Sequence, residues 1–346
     1  MSQLRKDPIT REWVVIASED VGKALEFAAA RAPAPTAPPQ QPCPFCPGQE
    51  AVAGPEVLAY RPVSTEPDAP GWRVRVVAGS SPVLACDGGL QRRDELLYDT
   101  MRAVGAHEIV IETPRHEASL ADLEATDLAE VLWACRERTE ALARPEWVRY
   151  VSVFRNHLLE TGPEAAHPHS RVVALPVVPQ AVWDHARGLR EYYDYRGRCA
   201  VCHIIEQEVR AGERVVHQNR ACVTVAPYAS RRPFELWLLP RRHAPGLGWV
   251  EAAEMRHLAA AFKDALQRLK ASLGDPPYHC HVVAAPCHVD DMEHVHWSIA
   301  ITPRLPLPGA QQLDCGLSVN PVPPEQAAGL LRDAVAPTLE VGAGRR

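Results

Sequence analysis

Two histidines two residues apart, His167 and His169, stand at the head of an apolar, β-branched run over residues 172–176. Such a run is typical of a buried strand. Side chains at positions i and i+2 of a strand point to the same face, so both imidazoles can address one site. The pair predicts a metal ligand beside a catalytic imidazole. For an isolated His-x-His motif the alternative, a strand edge without a chemical role, is favoured, so the rest of the chain must decide.

Two Cys-x-x-Cys motifs, Cys43/Cys46 and Cys199/Cys202, provide the next candidate ligands. This spacing lets two thiolates face one ion, as tetrahedral zinc requires. A redox-active cysteine pair is the alternative. No thioredoxin-like βαβ pattern surrounds the first motif, which favours the metal.

The motifs recur in the same order in both halves of the chain. Each half has a Cys-x-x-Cys motif, a strand that ends in a Pro-Arg-His-type sequence, a long helix, a strand and a His-x-His strand. The spacing from His116 to His167 equals the spacing from His243 to His294, and His296 lies two residues further on. Five elements in one order predict two fused copies of a single α+β unit.

Each copy therefore supplies two cysteines and two histidines, the set typical of closed structural zinc. The first predicted site consists of Cys43, Cys46, His116 and His167. The second consists of Cys199, Cys202, His243 and either His294 or His296. Thiols packed in the core are the alternative for both. Four ligands leave no open position, so we expect one or two zinc ions that hold loops in place and activate no water.

Hydrophobic periodicity predicts the elements that position these residues. Helices are predicted over residues 119–143 and 249–272, the first with Ser119 and Asp122 as N-terminal capping residues. Strands are predicted over residues 13–16, 72–77, 108–112, 150–154, 234–239, 279–283 and 297–302. Residues 28–42, rich in alanine and proline, are predicted to form an extended linker.

Length and composition narrow the class of protein. The chain has 346 residues, which suits about two domains on a prior of roughly 150 residues each. Its net charge of −6 argues against nucleic acid as a partner. No apolar run is long enough for a transmembrane helix, and no apolar signal region follows the N-terminal charges. We therefore expect a cytoplasmic protein whose 10 cysteines are thiols or metal ligands.

Motifs spread over nearly the whole chain carry a family resemblance. They comprise residues 7–13, the Cys43 motif, and residues 105–116, 154–156, 167–169, 234–237, 296–297 and 320–321. With these motifs the sequence resembles galactose-1-phosphate uridylyltransferases and their ADP-glucose phosphorylase relatives, members of the histidine-triad superfamily. The combination of the Cys-x-x-Cys motif with His-Pro-His is the most specific of these signals.

The resemblance implies two fused histidine-triad-like domains, each an antiparallel sheet with a long helix. Residues 1–178 would be the catalytic domain and residues 179–346 the C-terminal domain, in a homodimer. The resemblance also implies ping-pong transfer of a nucleoside monophosphate between hexose 1-phosphates, with a nucleotide sugar as donor. His169 would attack the α-phosphorus and Asn156 and Gly162 would lie by the phosphates. The resemblance favours His296 over His294 in the second metal site, whereas the internal repeat favours His294.

The sequence departs from the family pattern near the phosphates. Arg171 stands where the family has a glutamine that holds the phosphoryl oxygens, and it could neutralise their charge. Glu164 replaces a phosphate-binding serine, and we hypothesise that Glu164 and Arg171 form an ion pair. The nucleotide-contacting Asn-Lys pair is Gly79-Ser80 here. These departures keep two alternatives open: a nucleotide-sugar phosphorylase or hydrolase, and a zinc-stapled nucleotide-binding protein with weakened catalysis.

Overall fold

The structure, a computed structural model, describes residues 2–17, 22, 26, 42–62, 66–79, 84–85, 88–159, 167–306, 313 and 315–334. Its helices are α1 (Glu50–Ala53), α2 (Ala125–Ala143), α3 (Gln180–Arg196), α4 (Ala200–Ala211), α5 (Ala252–Leu273) and α6 (Pro324–Asp333). Its first eight strands are β1 (Gln3–Lys6), β2 (Trp13–Ile16), β3 (Glu56–Tyr60), β4 (Val74–Ala78), β5 (Arg93–Glu95), β6 (Tyr98–Thr100), β7 (Ala106–Ile111) and β8 (Tyr150–His157). The remaining strands are β9 (His169–Leu175), β10 (Val215–Gln218), β11 (Cys222–Val225), β12 (Leu236–Pro240), β13 (Tyr278–Val283), β14 (Ser298–Pro303) and β15 (Ser318–Asn320).

Ten strands form one continuous antiparallel sheet in the order β10-β11-β12-β14-β13-β8-β9-β7-β4-β3. Its two halves mirror each other, because β3-β4-β7-β9-β8 on one side matches β10-β11-β12-β14-β13 on the other. The halves join where β8 pairs with β13, with Phe154 opposite His281 and Asn156 opposite His279. This pairing removes the exposed edge that each five-stranded half would otherwise have.

The predicted repeat is confirmed as an α+β architecture. In each half a strand leads through a short 3-10 turn and a long helix to an antiparallel strand pair: β7, α2, β8 and β9 in the first, β12, α5, β13 and β14 in the second. Helices α2 and α5 pack side by side on one face of the sheet. The two predicted copies therefore share one sheet and one helical layer.

The core lies between that helical layer and the sheet. Strand residues such as Val110, Val172 and Ile301 are fully buried there against helix residues such as Leu128 and Ala261. Burying one such valine or leucine side chain stabilises the fold by about 1.5–3 kcal/mol. Strand side chains alternate between the two faces of a sheet, so Ser170 and Val172 both face the helical layer. His169 and Arg171 project from the opposite face, which the long helices leave uncovered.

A small second sheet joins the two ends of the described chain. Strand β1 pairs with β2, and β2 pairs in parallel with β15. The N-terminal strands therefore rest beside elements of the second half. The division into domains at residues 178 and 179 remains a prediction. None of the helices in the described ranges is both long enough and apolar enough to cross a membrane.

The predicted start of the first long helix is wrong. Ser119 precedes a 3-10 turn over Leu120–Asp122 and makes no side-chain capping hydrogen bond, and the backbone is extended again at Leu123. Helix α2 begins only at Ala125, after Glu124. Sequence analysis also did not identify helices α3, α4 and α6. Of the predicted linker, residues 28–41 lie outside the described residues.

Candidate functional site

The first cluster of candidate metal ligands joins the Cys-x-x-Cys motif to two distant histidines. The Sγ atom of Cys46 lies 3.4 Å from Nδ1 of His116 and 3.7 Å from Nδ1 of His167, and Sγ of Cys43 lies 3.7 Å from the same His167 atom. The ring Nε2–H of His167 donates to the backbone oxygen of Thr113 at 2.8 Å. This bond fixes the tautomer and leaves Nδ1 as the ligand atom.

The second cluster repeats this geometry in the other half. The Sγ atom of Cys202 lies 3.6 Å from Nδ1 of His243 and 3.4 Å from Nδ1 of His296, and Sγ of Cys199 lies 3.8 Å from His296. The Nε2–H of His296 donates to the backbone oxygen of Pro240 at 2.9 Å. His296 therefore occupies the position that His167 has in the first cluster.

His294, the choice that equal repeat spacing favours, is not in this cluster. The connection from His243 to the buried ligand is two residues longer than its counterpart in the first half. The structure therefore brings His296, and not His294, together with Cys199, Cys202 and His243.

Both clusters fit a tetrahedral zinc ion. In each, the four ligand atoms lie within 4.8 Å of one another. With zinc–sulfur and zinc–nitrogen bonds of ordinary length, the sulfur–nitrogen edges of such a tetrahedron would be about 3.6 Å. Burial lowers the pKa of His167 to about 4, so this imidazole is neutral at pH 7, as a ligand must be. The donor set and its spacing therefore suit a closed site without a position for water.

The pKa values of the thiols in these clusters indicate what a bound cation would change. Burial raises the pKa of the Cys43 thiol to about 11, so without a bound cation this thiol stays protonated at neutral pH. In the second cluster a hydrogen bond from Cys202 lowers the pKa of Cys199 and raises the pKa of Cys202. A divalent ion would stabilise the thiolates in both places.

His169 begins β9 two residues after the candidate ligand His167 and is 4% exposed. Its Nδ1–H donates to the backbone oxygen of His167 at 2.8 Å. The lone pair of the neutral ring is therefore on Nε2, the atom that can act as a nucleophile. The edge of the Phe45 ring packs on this imidazole with the centroids 5.4 Å apart. His169 belongs to neither metal cluster among the described residues.

A buried ion pair supports the backbone of His169 from the opposite face of the sheet. The guanidinium of Arg155 pairs with the carboxylate of Glu112, and its Nη1 donates to the backbone oxygen of His169 at 3.1 Å. The hydroxyl of Ser170 donates to Glu112 at 2.6 Å, and Nε of Arg155 donates to the Tyr278 hydroxyl at 3.3 Å. All of these side chains are almost fully buried, so the network holds the strand rigidly at the candidate nucleophile.

Arg171 lies two residues beyond His169 on the same face. Its Nη1 is 3.4 Å from Nε2 of His107 on the neighbouring strand β7. The His107 ring in turn packs on the backbone of Gly79, where an added Cβ would come within 2.6 Å of the ring. Gly79 is therefore needed to admit His107, and a positive charge stands beside the candidate nucleophile.

The third strand of this face contributes Asn156. In the β8–β9 register Phe154 lies opposite Arg171, so Asn156, two residues on, shares the face of Arg171 and His169. Its Oδ1 atom is 2.8 Å from Nδ1 of His279 on β13. The structure thus brings Asn156, His169 and Arg171 onto one surface. Gly162 and Glu164, together with the proposed Glu164–Arg171 ion pair, lie outside the described residues.

Sequence analysis assigned no role to four residues of this site: Glu112, Arg155, His107 and His279. A signal existed for two of them, because Glu112 is a charged residue within a predicted strand and Arg155 directly follows another predicted strand. The remaining two act through contacts between strands, which depend on a register that a single sequence does not contain.

Comparison with known proteins places this geometry in a family. A family model for the galactose-1-phosphate uridyl transferase N-terminal domain matches residues 1–179, more than half of the chain. The chain belongs to this family. Its members are nucleotidyltransferases, so the fold and the row of His169, Asn156 and Arg171 on one face of the sheet now have a family context.

Relatives cover nearly the full length of the chain. ADP-glucose phosphorylase of Arabidopsis thaliana is 30% identical over 336 residues, which is 96% of this chain and 92% of that protein. Galactose-1-phosphate uridylyltransferase of Thermotoga maritima is 25% identical over 341 residues, 96% of this chain and 98% of that protein. The crystal structure of the Arabidopsis thaliana ADP-glucose phosphorylase with bound ADP-glucose has a TM-score of 0.78 and 29% identity, over 97% of this chain and 100% of that one.

Proposed function

We propose that this member of the family transfers a nucleoside monophosphate between a nucleotide sugar and a hexose 1-phosphate through a covalent nucleotidyl-histidine at His169. One observation carries the proposal: the 2.8 Å hydrogen bond from Nδ1 of His169 to the backbone oxygen of His167. It selects the tautomer in which Nε2 is the nucleophile, and it ties the nucleophile to a cluster ligand.

The reaction has two displacements at the same phosphorus. In the first, Nε2 of His169 attacks the α-phosphorus, a P–N bond forms, the P–O bond to the β-phosphate breaks, and the sugar 1-phosphate leaves. In the second, a phosphate oxygen of another sugar 1-phosphate attacks, the P–N bond breaks, and the imidazole is restored. Arg171 would neutralise the non-bridging oxygens, and the Asn156 amide would donate to them.

We propose that zinc occupies both clusters, in the first through Cys43, Cys46, His116 and His167 and in the second through Cys199, Cys202, His243 and His296. Bound there, zinc supplies a rigid crosslink between distant parts of the chain and no reactive water, because all four positions are taken. The protein's own contribution in the first cluster is to fix the His167 backbone, which in turn orients His169. Elemental analysis of the purified protein tests the identity and number of the ions.

We propose that Gly162 and Glu164 belong to the phosphate-binding part of the site, with Glu164 paired to Arg171. A double-mutant cycle on the zinc-loaded protein tests the pair, and a coupling energy of zero would contradict it. The division at residues 178 and 179, the homodimer and the cytoplasmic location also remain proposals. Sedimentation of the full chain tests the dimer.

The central experiment is to incubate the protein with UDP-, ADP- and GDP-sugars and measure the intact mass. We expect an acid-labile nucleotide adduct that is absent in His169→Ala. An unmodified mass with every nucleotide sugar would contradict covalent transfer and leave the binding-protein alternative.

A second step of this experiment identifies the acceptor. Inorganic phosphate is a specific candidate, because the relative with 30% identity is named a phosphorylase. The isolated adduct is offered hexose 1-phosphates or inorganic phosphate. A new nucleotide sugar indicates transferase activity, and a nucleoside diphosphate indicates phosphorolysis.

A further inference from the structure

Asn156 and His279 form a contact across the seam between the two halves of the sheet. Asn156 is on β8 in the first half, and His279 lies directly opposite it on β13 in the second half. Their side chains meet at 2.8 Å between Oδ1 and Nδ1. His279 is thus a residue of the second half that bonds a side chain in the candidate site of the first.

The chemistry of the two atoms sets the direction of this bond. An amide oxygen can only accept, so Nδ1 of His279 carries the hydrogen and donates it. Burial and then the positive charge of Arg304 lower the pKa of His279, so the ring is neutral at pH 7 with its one hydrogen on Nδ1. With Oδ1 turned towards β13, the NH₂ group of Asn156 is directed away from β13.

The His279 ring is itself held in place. It stacks on His281 with the ring centroids 5.2 Å apart and the planes 28° apart, and the Phe154 ring lies 6.0 Å away. On its other side β14 places Thr302 opposite His279. A donor whose own ring is fixed by its neighbours can fix the group that it bonds.

Three neighbouring strands therefore form a row on one face of the sheet. His169 comes from β9, Asn156 from β8 and His279 from β13, and alternation places all three side chains on the face opposite the long helices. His279 is the member farthest from His169, because β8 lies between its strand, β13, and β9. Its contact with Asn156 is the link between the second half and the candidate site.

We propose that His279 is a positioning residue for nucleotidyl transfer, which holds the Asn156 amide so that its hydrogens face the phosphoryl oxygens. This inference rests on the proposed function. It assigns to the second half of the chain a part in the chemistry of the first.

The test compares His279→Leu, which removes the donor, with His279→Asn, which keeps a donor near the position of Nδ1. Both are combined with Asn156→Ala, and the rate of adduct formation and kcat/KM are measured with ADP-glucose and UDP-glucose. We expect His279→Leu to lower the rate about tenfold, as loss of one orienting hydrogen bond would. His279→Asn should recover most of that loss, and His279→Leu should add nothing in the Asn156→Ala background.

The matched control is Thr302→Val, a nearly isosteric change directly opposite His279 that leaves the bond to Asn156 in place. It should keep the wild-type rate. Equal losses in His279→Leu and His279→Asn, or independent effects of His279→Leu and Asn156→Ala, would overturn the inference.

Failure of the proposed function gives a different result. If the wild-type protein forms no adduct, covalent transfer is wrong, and calorimetric binding of AMP and UMP to the same variants decides about His279. Coupling between His279 and Asn156 in the binding constant would support positioning, and additive losses would contradict it. Absence of nucleotide binding to the wild-type protein would overturn both proposals.

Discussion

The two halves of the sheet are built alike and differ at one decisive position. Each half has a cluster of two thiols and two imidazoles, and in each the buried histidine, His167 or His296, donates from Nε2 to a backbone oxygen. Two residues later the first half has His169, and the second has Ser298. Both halves therefore have the cluster, and only the first half combines it with the candidate nucleophile, His169.

The residues that directly follow His169 and Ser298 also differ between the two halves. After His169 comes Ser170, which bonds Glu112 in the buried network with Arg155. After Ser298 comes Ile299, which packs with Val282 in the apolar core. A buried ion pair costs desolvation energy that an apolar pair does not. The first half bears this cost beneath the strand that carries the candidate nucleophile, His169.

The largest expected effect comes from changing His169, the position at which the two halves differ. His169→Ala should lower kcat by at least about a thousandfold, because a covalent route has no substitute nucleophile. Ser298→Ala, the corresponding change in the second half, should leave kcat unchanged. Steady-state turnover of the nucleotide sugar that labels the wild-type protein measures both. Substantial turnover by His169→Ala would mean that the nucleophile is elsewhere.

The buried pair gives the next largest effect. Glu112→Gln should lower the free energy of unfolding by about 3 kcal/mol, because it leaves the Arg155 guanidinium buried without its counter-charge. The control is Glu254→Gln in the second half, which removes the partly exposed partner of Arg242 and should cost less than about 1 kcal/mol. Urea unfolding of both variants gives the two values. Similar losses would show that the first-half network is not specially stabilising.

The two clusters can be compared by removing one thiol from each. Cys46→Ala and Cys202→Ala should each lose one equivalent of bound zinc. Only Cys46→Ala should also lower kcat/KM, by about ten- to hundredfold, because its cluster holds His167, whose backbone oxygen orients His169. Elemental analysis and kinetics, at a temperature where both variants are folded, measure the difference. Equal losses of activity would mean that both clusters act only through global stability.

Sequence patterns predicted much of this comparison. Periodicity located β8, β9, β13 and β14, and the Cys-x-x-Cys and His-x-His motifs identified the members of both clusters, because ligand chemistry restricts residue type and spacing locally. Strict repeat spacing favoured His294 at the second cluster. The extra two residues before His296 are absorbed between β12 and β14, where spacing along the chain does not determine distance.

The contacts that tie the site together were not predictable in this way. Arg155 with Glu112, and Asn156 with His279, are far apart in the chain and meet only through strand register. Register is set by the packing of whole strands and by how the halves join at β8 and β13, which no local motif encodes. The candidate nucleophile and the candidate ligands were therefore visible in the sequence, and the residues that contact them across the sheet were not.

The outer edges of the two halves offer the finest comparison, because each has a carboxylate between two arginines. Glu56, the first residue of β3, pairs with Arg61 and Arg75. Glu325, at the start of α6, pairs at 2.8 Å with both Arg5 and Arg214. Burial alone would raise the pKa of each carboxyl, but the hydrogen bonds from the arginines outweigh it and lower both pKa values.

A lowered pKa in the folded state means that the unfolded chain binds the proton more readily. The stabilisation is therefore present above the ordinary pKa of a glutamate and is lost as the pH falls through the lower, folded value. At pH 7 we expect Glu56→Gln to cost about 2 kcal/mol, because its side chain is only 8% exposed. Glu325→Gln, at 27% exposure, should cost about 1 kcal/mol after solvent screening. Urea midpoints measured from pH 7 down to pH 3 should begin to converge with wild type below pH 4.5, the ordinary pKa of the carboxyl, and should meet it below the folded pKa. A cost that does not change with pH would rule out the ion pairs as its source.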